Sequence, residues 1–160
     1  LSQMNLSWEN RNYRYLSVKE KTDAILQRSS DRERFWRLLV QMYSLAEQRG
    51  ARMIIENPYA LNTFLKGNFI MPPTIVDENR MLRGDYFIKP TAYWFFECEP
   101  TYGFTWQNDK KQKIITDCKQ GIKAGICSEE RSLISSDYAR NWICDFILGK
   151  TQNIGQLSLF

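Results

Sequence analysis

A carboxylate, an amide and a proline stand in a row at Glu56, Asn57 and Pro58, directly after the apolar run Met53, Ile54 and Ile55 in "RMIIENPYA". A carboxylate only accepts hydrogen bonds, an amide donates and accepts, and proline fixes the backbone that carries them. Together they can read the edge of a polar ligand. A short, unbroken apolar run closed by a turn signal is the pattern of a central strand in a parallel sheet, covered on both faces. The acid and amide then sit at the strand's carboxyl end, where open α/β sheets bind ligands. The same residues also fit a plain turn that leaves Glu56 in water.

A second candidate lies downstream. "NRMLRGDYFIKPT" sets Arg80, Arg83 and Lys89 beside Thr91 in a stretch rich in Pro, Gly and charge. Three cations and a hydroxyl on a loop suit phosphate contacts, with solvated loop charges as the plainer alternative. A net charge of +4 accompanied by five Trp, eight Tyr and nine Phe points the same way. Cations meet phosphates and aromatics meet bases, although many of the aromatics must build the core. His is absent, and Cys98, Cys118, Cys127 and Cys144 form no CxxC pair. A structural zinc site and a His-dependent nucleophile therefore lack their usual parts, and no metal is expected. The thiols read as reduced, in a cytoplasmic protein. No stretch is long and apolar enough to span a membrane and no signal peptide opens the chain, so no membrane partner is expected. A start at Leu1 reads as part of a longer chain.

The elements that must position these residues follow from periodicity. At 160 residues and 43% hydrophobic, the chain can bury one good core. Residues 1–29 read as an irregular arm followed by a short helix from Val18 to Gln27. In "SSDRERFWRLLVQMYSLAEQRG", Ser30 and Glu33 have capping-box spacing, Phe35, Leu39, Met42 and Ala46 share a stripe, and Gly50 is a stop. That helix, a tight turn and the Met53 strand make an αβ unit. "AYWFFECE", Ala92 to Glu99, reads as a strand, and "KQKIITD" as an edge strand. "SSDYARNWICDFILGK" is a helix capped by Ser135 or Ser136, with Ala139, Ile143, Phe146 and Ile147 on one face and Gly149 at its end. Residues 30–149 thus form an α/β domain and 150–160 a flexible tail.

The order "IENP", "RGDYFIKPTAYWF", "ERSLISSDYARNWICDFILG", behind an amphipathic helix ending in Gly, resembles the C-terminal part of bacterial and phage DNA cytosine methyltransferase-like proteins over roughly Ser30 to Gly149. The resemblance implies a partial Rossmann-like, class I methyltransferase fold: a mostly parallel sheet with flanking helices, binding S-adenosylmethionine. It implies that Glu56 bonds the ring nitrogen and amine of a cytosine flipped out of DNA, that Asn57 and Pro58 hold that carboxylate, and that Arg80, Arg83, Lys89 and Thr91 lie near the DNA. The family's Gly-rich cofactor loop and Pro-Cys nucleophile loop have no counterpart here, so the chain by itself is not expected to methylate DNA. "ENPYA" also approaches the Asn-Pro-Pro-Tyr loop of amino-methyltransferases of adenine or cytosine. A third expectation is a non-catalytic DNA-binding or interaction module.

The chain closes on "QLSLF", Gln156, Leu157, Ser158, Leu159 and Phe160. This resembles the short peptide by which many bacterial replication and repair proteins dock on the sliding clamp. Three apolar anchors and an orienting amide on a free tail suit a partner's pocket. A small edge strand against the core is the alternative.

Overall fold

The computed structural model describes residues 6–59, 64–106, 133–150 and 152–153. Its longest element starts at Ser17. The Ser17 hydroxyl accepts from the Glu20 amide at 3.3 Å, and the Glu20 carboxylate takes the Ser17 amide at 2.8 Å, a complete capping box. From it runs one helix, α1 (Val18–Arg49), of 32 residues. The two helices expected on either side of Ser29 and Ser30 are a single one. A pair four residues apart spans the serines, Gln27 donating to Asp31 at 3.0 Å, and a second follows directly, Arg37 with Glu33 at 2.7 Å. Ser30 and Glu33 have the box spacing, yet Ser17 and Glu20 have it too, and the upstream pair is the real cap. Gly50 ends α1 with φ 60°, the left-handed conformation that glycine adopts without strain, and its N–H turns back to Ala46.

Contacts sort the chain into two units, one of residues Leu1–Val76 with Thr91–Glu99, the other of Asp77–Pro90 with Pro100–Phe160. The first holds α1, β1 (Met53–Pro58), α2 (Phe64–Asn68), most of β2 (Ile75–Asp77) and β3 (Thr91–Phe96). Strand order is β1-β3-β2, and the sheet is antiparallel. Met53 pairs with Phe96 and Pro58 with Thr91, which fixes β1 against β3 head to tail. All six residues of β3 are buried, as a central strand requires.

This overturns the mostly parallel, Rossmann-like sheet. The apolar run Met53 to Ile55 reads as covered on both faces, but Met53 and Ile55 are half-buried while Ile54 is exposed. β1 is therefore a one-sided edge strand, the pattern of an antiparallel sheet. Strand character shared by the two runs does not carry strand direction.

Ala92, Trp94 and Phe96 point from β3 into a core shared with Leu65 of α2, against which Leu39 and Tyr43 of α1 pack. Tyr43 meets Phe96 edge-on at 5.1 Å between centroids, and Phe69 meets Trp94 at 5.2 Å. The buried Trp94 indole donates to the Met71 carbonyl and the half-buried Trp36 indole to that of Asn68, each at 3.0 Å. Of the stripe read from sequence, Leu39 and Ala46 face inward, whereas Phe35 and Met42 stay exposed.

In the second unit, a 3-10 turn (Arg80–Arg83), β4 (Thr105–Trp106), α3 (Ser136–Phe146) and β5 (Gln152–Asn153) are described. β5, inside the segment read as a tail, pairs in parallel with β4. Ser135 caps α3, accepting from the Tyr138 amide at 3.2 Å. Its buried face is Tyr138, Asn141, Cys144, Asp145 and Phe146, while Ile143 and Ile147 of the expected stripe are exposed. The loop between β3 and β4 lies so close to the end of α3 that a Cβ on Gly103 would collide with the Lys150 carbonyl. "KQKIITD", Cys118 and Cys127 lie outside the described residues.

Hydrogen bonds from the Ser17 hydroxyl, and next from the Ser17 amide, hold the Glu20 carboxyl below its ordinary value of 4.5. A lowered folded pKa stabilises the helix start fully above the ordinary value and loses that contribution as pH falls through the folded one. Ser17→Ala should cost about 1 kcal/mol in urea unfolding. Amide exchange should show first-turn protection falling in acid in the parent and already lost, at every pH, in the variant.

Candidate nucleic-acid interface

Strand alternation separates the three residues first singled out. Asn57 shares the core side with Met53 and Ile55; it is buried, and its amide donates to the Pro58 carbonyl at 2.9 Å. Glu56 falls on the opposite side, exposed and in register with Tyr93. Pro58 closes the strand beside Thr91. The acid and the amide therefore diverge, and only Glu56 is presented to solvent.

The cations of the second stretch are drawn inward. Arg80 is fully buried, pairs with Asp85 at 2.5 Å and lies over the Tyr138 ring at 4.2 Å. Arg83 reaches Asp77 at 3.0 Å and Asp145 at 2.8 Å, with its guanidinium above Phe146. Burial, the largest influence, lowers the Arg83 pKa, but the charge of Asp77 and the bond to Asp145 carry it above its ordinary value. The remaining carboxylate oxygens are taken as well: Tyr138 donates to Asp77 at 2.9 Å, Thr105 to Asp145 at 2.6 Å, and the Tyr86 amide to Asp85 at 2.7 Å. Asn141 donates to the Arg83 carbonyl at 3.0 Å, and Ser135 to that of Gly84 at 2.9 Å. A network that engages each of these three carboxylates holds a fold and leaves none of them open for proton transfer, while the buried Arg80 guanidinium has its ion pair with Asp85 and the Tyr138 ring but no hydrogen bond. Lys89 is half-buried in this unit, and Thr91 is buried in the other. The four residues do not form one exposed phosphate-binding surface. Gln156, Leu157, Ser158, Leu159 and Phe160 lie outside the described residues.

A different surface brings cations and aromatics together. In the arm, Asn10 accepts on its side chain from the Asn12 amide at 2.9 Å and on its carbonyl from the Tyr13 amide at 2.8 Å, setting the 3-10 turn Arg11–Tyr13. Tyr13 is buried and its hydroxyl takes a bond from Arg28 of α1 at 2.6 Å, pinning the arm to the helix. With Tyr13 turned in, its neighbours turn out: Tyr15 is 90% exposed, Trp8 is 43% exposed, and Arg14 is exposed. Trp8, Glu9, Asn10, Arg14 and Lys21 line an open concavity of about 400 Å³. The Lys21 ammonium stands 4.8 Å from the Trp8 ring centre. Sequence reading took this arm as irregular; its signal was the mixing of Trp, Tyr and Arg with no apolar period to bury them.

The class I crevice in which the resemblance implies that S-adenosylmethionine binds has no counterpart in the described sheet. The class I crevice opens at the carboxyl ends of neighbouring parallel strands. Here the carboxyl end of β1 adjoins the amino end of β3. Among the described residues no group of three or more His, Cys, Asp or Glu is placed to hold a metal ion, and no helix is long and apolar enough to cross a membrane.

The chain matches no protein-family model, no curated protein and no solved structure.

Arg83→Met strands Asp77 and Asp145 without their cation and should destabilise the protein by about 3–5 kcal/mol. Glu56→Gln, at an exposed strand position, should change stability by no more than about 0.5 kcal/mol. Urea unfolding of the two variants beside the parent checks both.

Proposed function

We propose that the chain is a DNA-binding part of a base-modifying system, contributing nucleic-acid contact and not the methyl-transfer step. The observation that carries this reading is the concavity of Trp8, Glu9, Asn10, Arg14 and Lys21, two cations to one acid, beside the exposed Tyr15. Cations on a track with exposed aromatic faces are how proteins hold unstacked bases, since every base offers a π-face and every nucleotide a phosphate. The ordered likeness to cytosine methyltransferase-like proteins supplies the setting, because base modification exposes a nucleotide outside the stack. Methyl transfer itself is not assigned to this chain: Asn57 is turned into the core, and the described interior carboxylates are all engaged.

Fluorescence anisotropy with a labelled single-stranded oligonucleotide tests the reading. Trp8→Ala and Tyr15→Ala should each weaken binding by about 1–3 kcal/mol if each stacks on one base. Arg14→Ala with Lys21→Ala should lower the slope of log affinity against log salt by about 1.4, two phosphate contacts' worth for a single strand. An unchanged slope together with unchanged affinity in the aromatic variants would overturn it.

Docking of the terminal "QLSLF" on a sliding clamp belongs to the same proposal and is supported by its sequence, with Leu157, Leu159 and Phe160 as anchors. A tether of this kind raises the local concentration of a weak DNA binder near new DNA. A labelled peptide ending in QLSLF should bind the clamp of the source organism in the micromolar range. The same peptide with Leu159 and Phe160 changed to Ala should not; equal binding of the two removes the clamp from the reading.

A further inference from the structure

Helix α1 carries two apolar faces, and the core uses one. Leu39, Tyr43 and Ala46 pack inward. Phe35, Leu38, Met42 and Leu45 are 47%, 48%, 42% and 54% exposed. Their spacing of three, four and three residues is the seam of a coiled coil and not the scatter of single surface apolars. Phe35 and Leu38 also line, with Asp31 and Arg34, an open hollow of about 390 Å³.

We propose that this seam docks on the same seam of a second copy of the chain, with the two helices antiparallel. Antiparallel seams set each first-type position against a second-type position of the other helix. A two-fold axis passing between Leu38 and Met42 then places Leu38 against the second copy's Met42, and Phe35 against its Leu45. The hollow beside Phe35 receives that leucine. One layer further out, Asp31 faces the second copy's Arg49, and by symmetry this pair occurs at both ends of the contact. Arg49 is exposed, and Asp31 is oriented by the 3.0 Å bond from Gln27. Parallel docking instead sets Asp31 against Asp31 and Arg49 against Arg49, two repulsions with nothing gained in the apolar layers. Charge thus selects both the partner and the direction. The paired stretch covers about 27 Å of helix at 1.5 Å per residue. So small a contact fits a weak, reversible dimer with a dissociation constant in the micromolar range.

Sedimentation equilibrium of the full chain tests this. The parent should self-associate to a dimer between low and high micromolar concentration. Leu38→Glu with Met42→Glu should abolish the dimer; because that pair alters the two central layers at once, charge inversion gives a second test outside the apolar layers. Asp31→Arg alone and Arg49→Asp alone should each weaken association about tenfold, and the double variant should recover it. The proposal is overturned by a parent that stays monomeric through hundreds of micromolar, which means that something other than a second copy covers the seam. It is equally overturned by a dimer indifferent to the seam variants, or by a double inversion that fails to restore association, the mark of a parallel or unrelated contact.

Discussion

A guanidinium removed from water must meet carboxylates, and Arg83 meets two, Asp77 and Asp145, that are themselves almost wholly buried. That requirement organises the second unit. It ties the end of β2 to the 3-10 turn and to the last turn of α3, and through Asp145 it draws in Thr105 of β4. Arg80 repeats the arrangement one turn earlier with Asp85, lying on the ring of Tyr138, whose hydroxyl closes the circle onto Asp77. Ion pairs at such depth add little net stability against a well-packed apolar alternative, because desolvation offsets much of their attraction. Their effect is selective: a displaced partner leaves a bare charge, so only one arrangement of these elements is acceptable.

The same constraint explains which parts of the fold were legible in the sequence. Some ends of elements were: the caps Ser135 and Gly50 act through local chemistry that neighbouring residues reveal, whereas the start of α1 at Ser17 and the bounds of β3, read as Ala92 to Glu99 and found at Thr91 to Phe96, were not. The facing of α3 was not. Hydrophobic spacing favours Ala139, Ile143 and Ile147 as the inner stripe, and the helix instead buries Asn141 and Asp145, because their partners lie some sixty residues away in "NRMLRG". The two arginines were misplaced for the same reason. An arginine in a Gly-rich stretch looks solvated until the carboxylates that will enclose it are known.

Strand direction failed on different grounds. The apolar residues at 53–55 and 91–96 mark strands, but pairing direction depends on how the intervening chain returns. A parallel return needs a crossover long enough to carry the chain back across the sheet, usually a helix. The described residues between β1 and β3 hold only the short helix Phe64–Asn68, the edge strand β2 and one 3-10 turn. The first candidate site rested on the parallel sheet, since a strand's carboxyl end is a ligand crevice only beside another such end. Once β1 is antiparallel and at an edge, the alternation that buries Asn57 and exposes Glu56 follows from the pleat alone.

Where charge is used inside a fold changes what the surface can do. The enclosed cluster holds two arginines against three aspartates, so the rest of the chain is more positive by one charge than the whole-chain value of +4. Arg80 and Arg83, the cations that looked most like phosphate ligands, make no part of that surplus. It falls instead on surface groups, and at the arm two of them, Arg14 and Lys21, outnumber the one acid of the concavity, Glu9, beside aromatic rings that the core does not cover. Two cations against one acid, Glu9, beside a partly exposed indole gain from a ligand that is both anionic and flat. A nucleotide is such a ligand, which is why function in this chain is better sought at the outward-facing arm than at the strand end where the sequence first draws the eye.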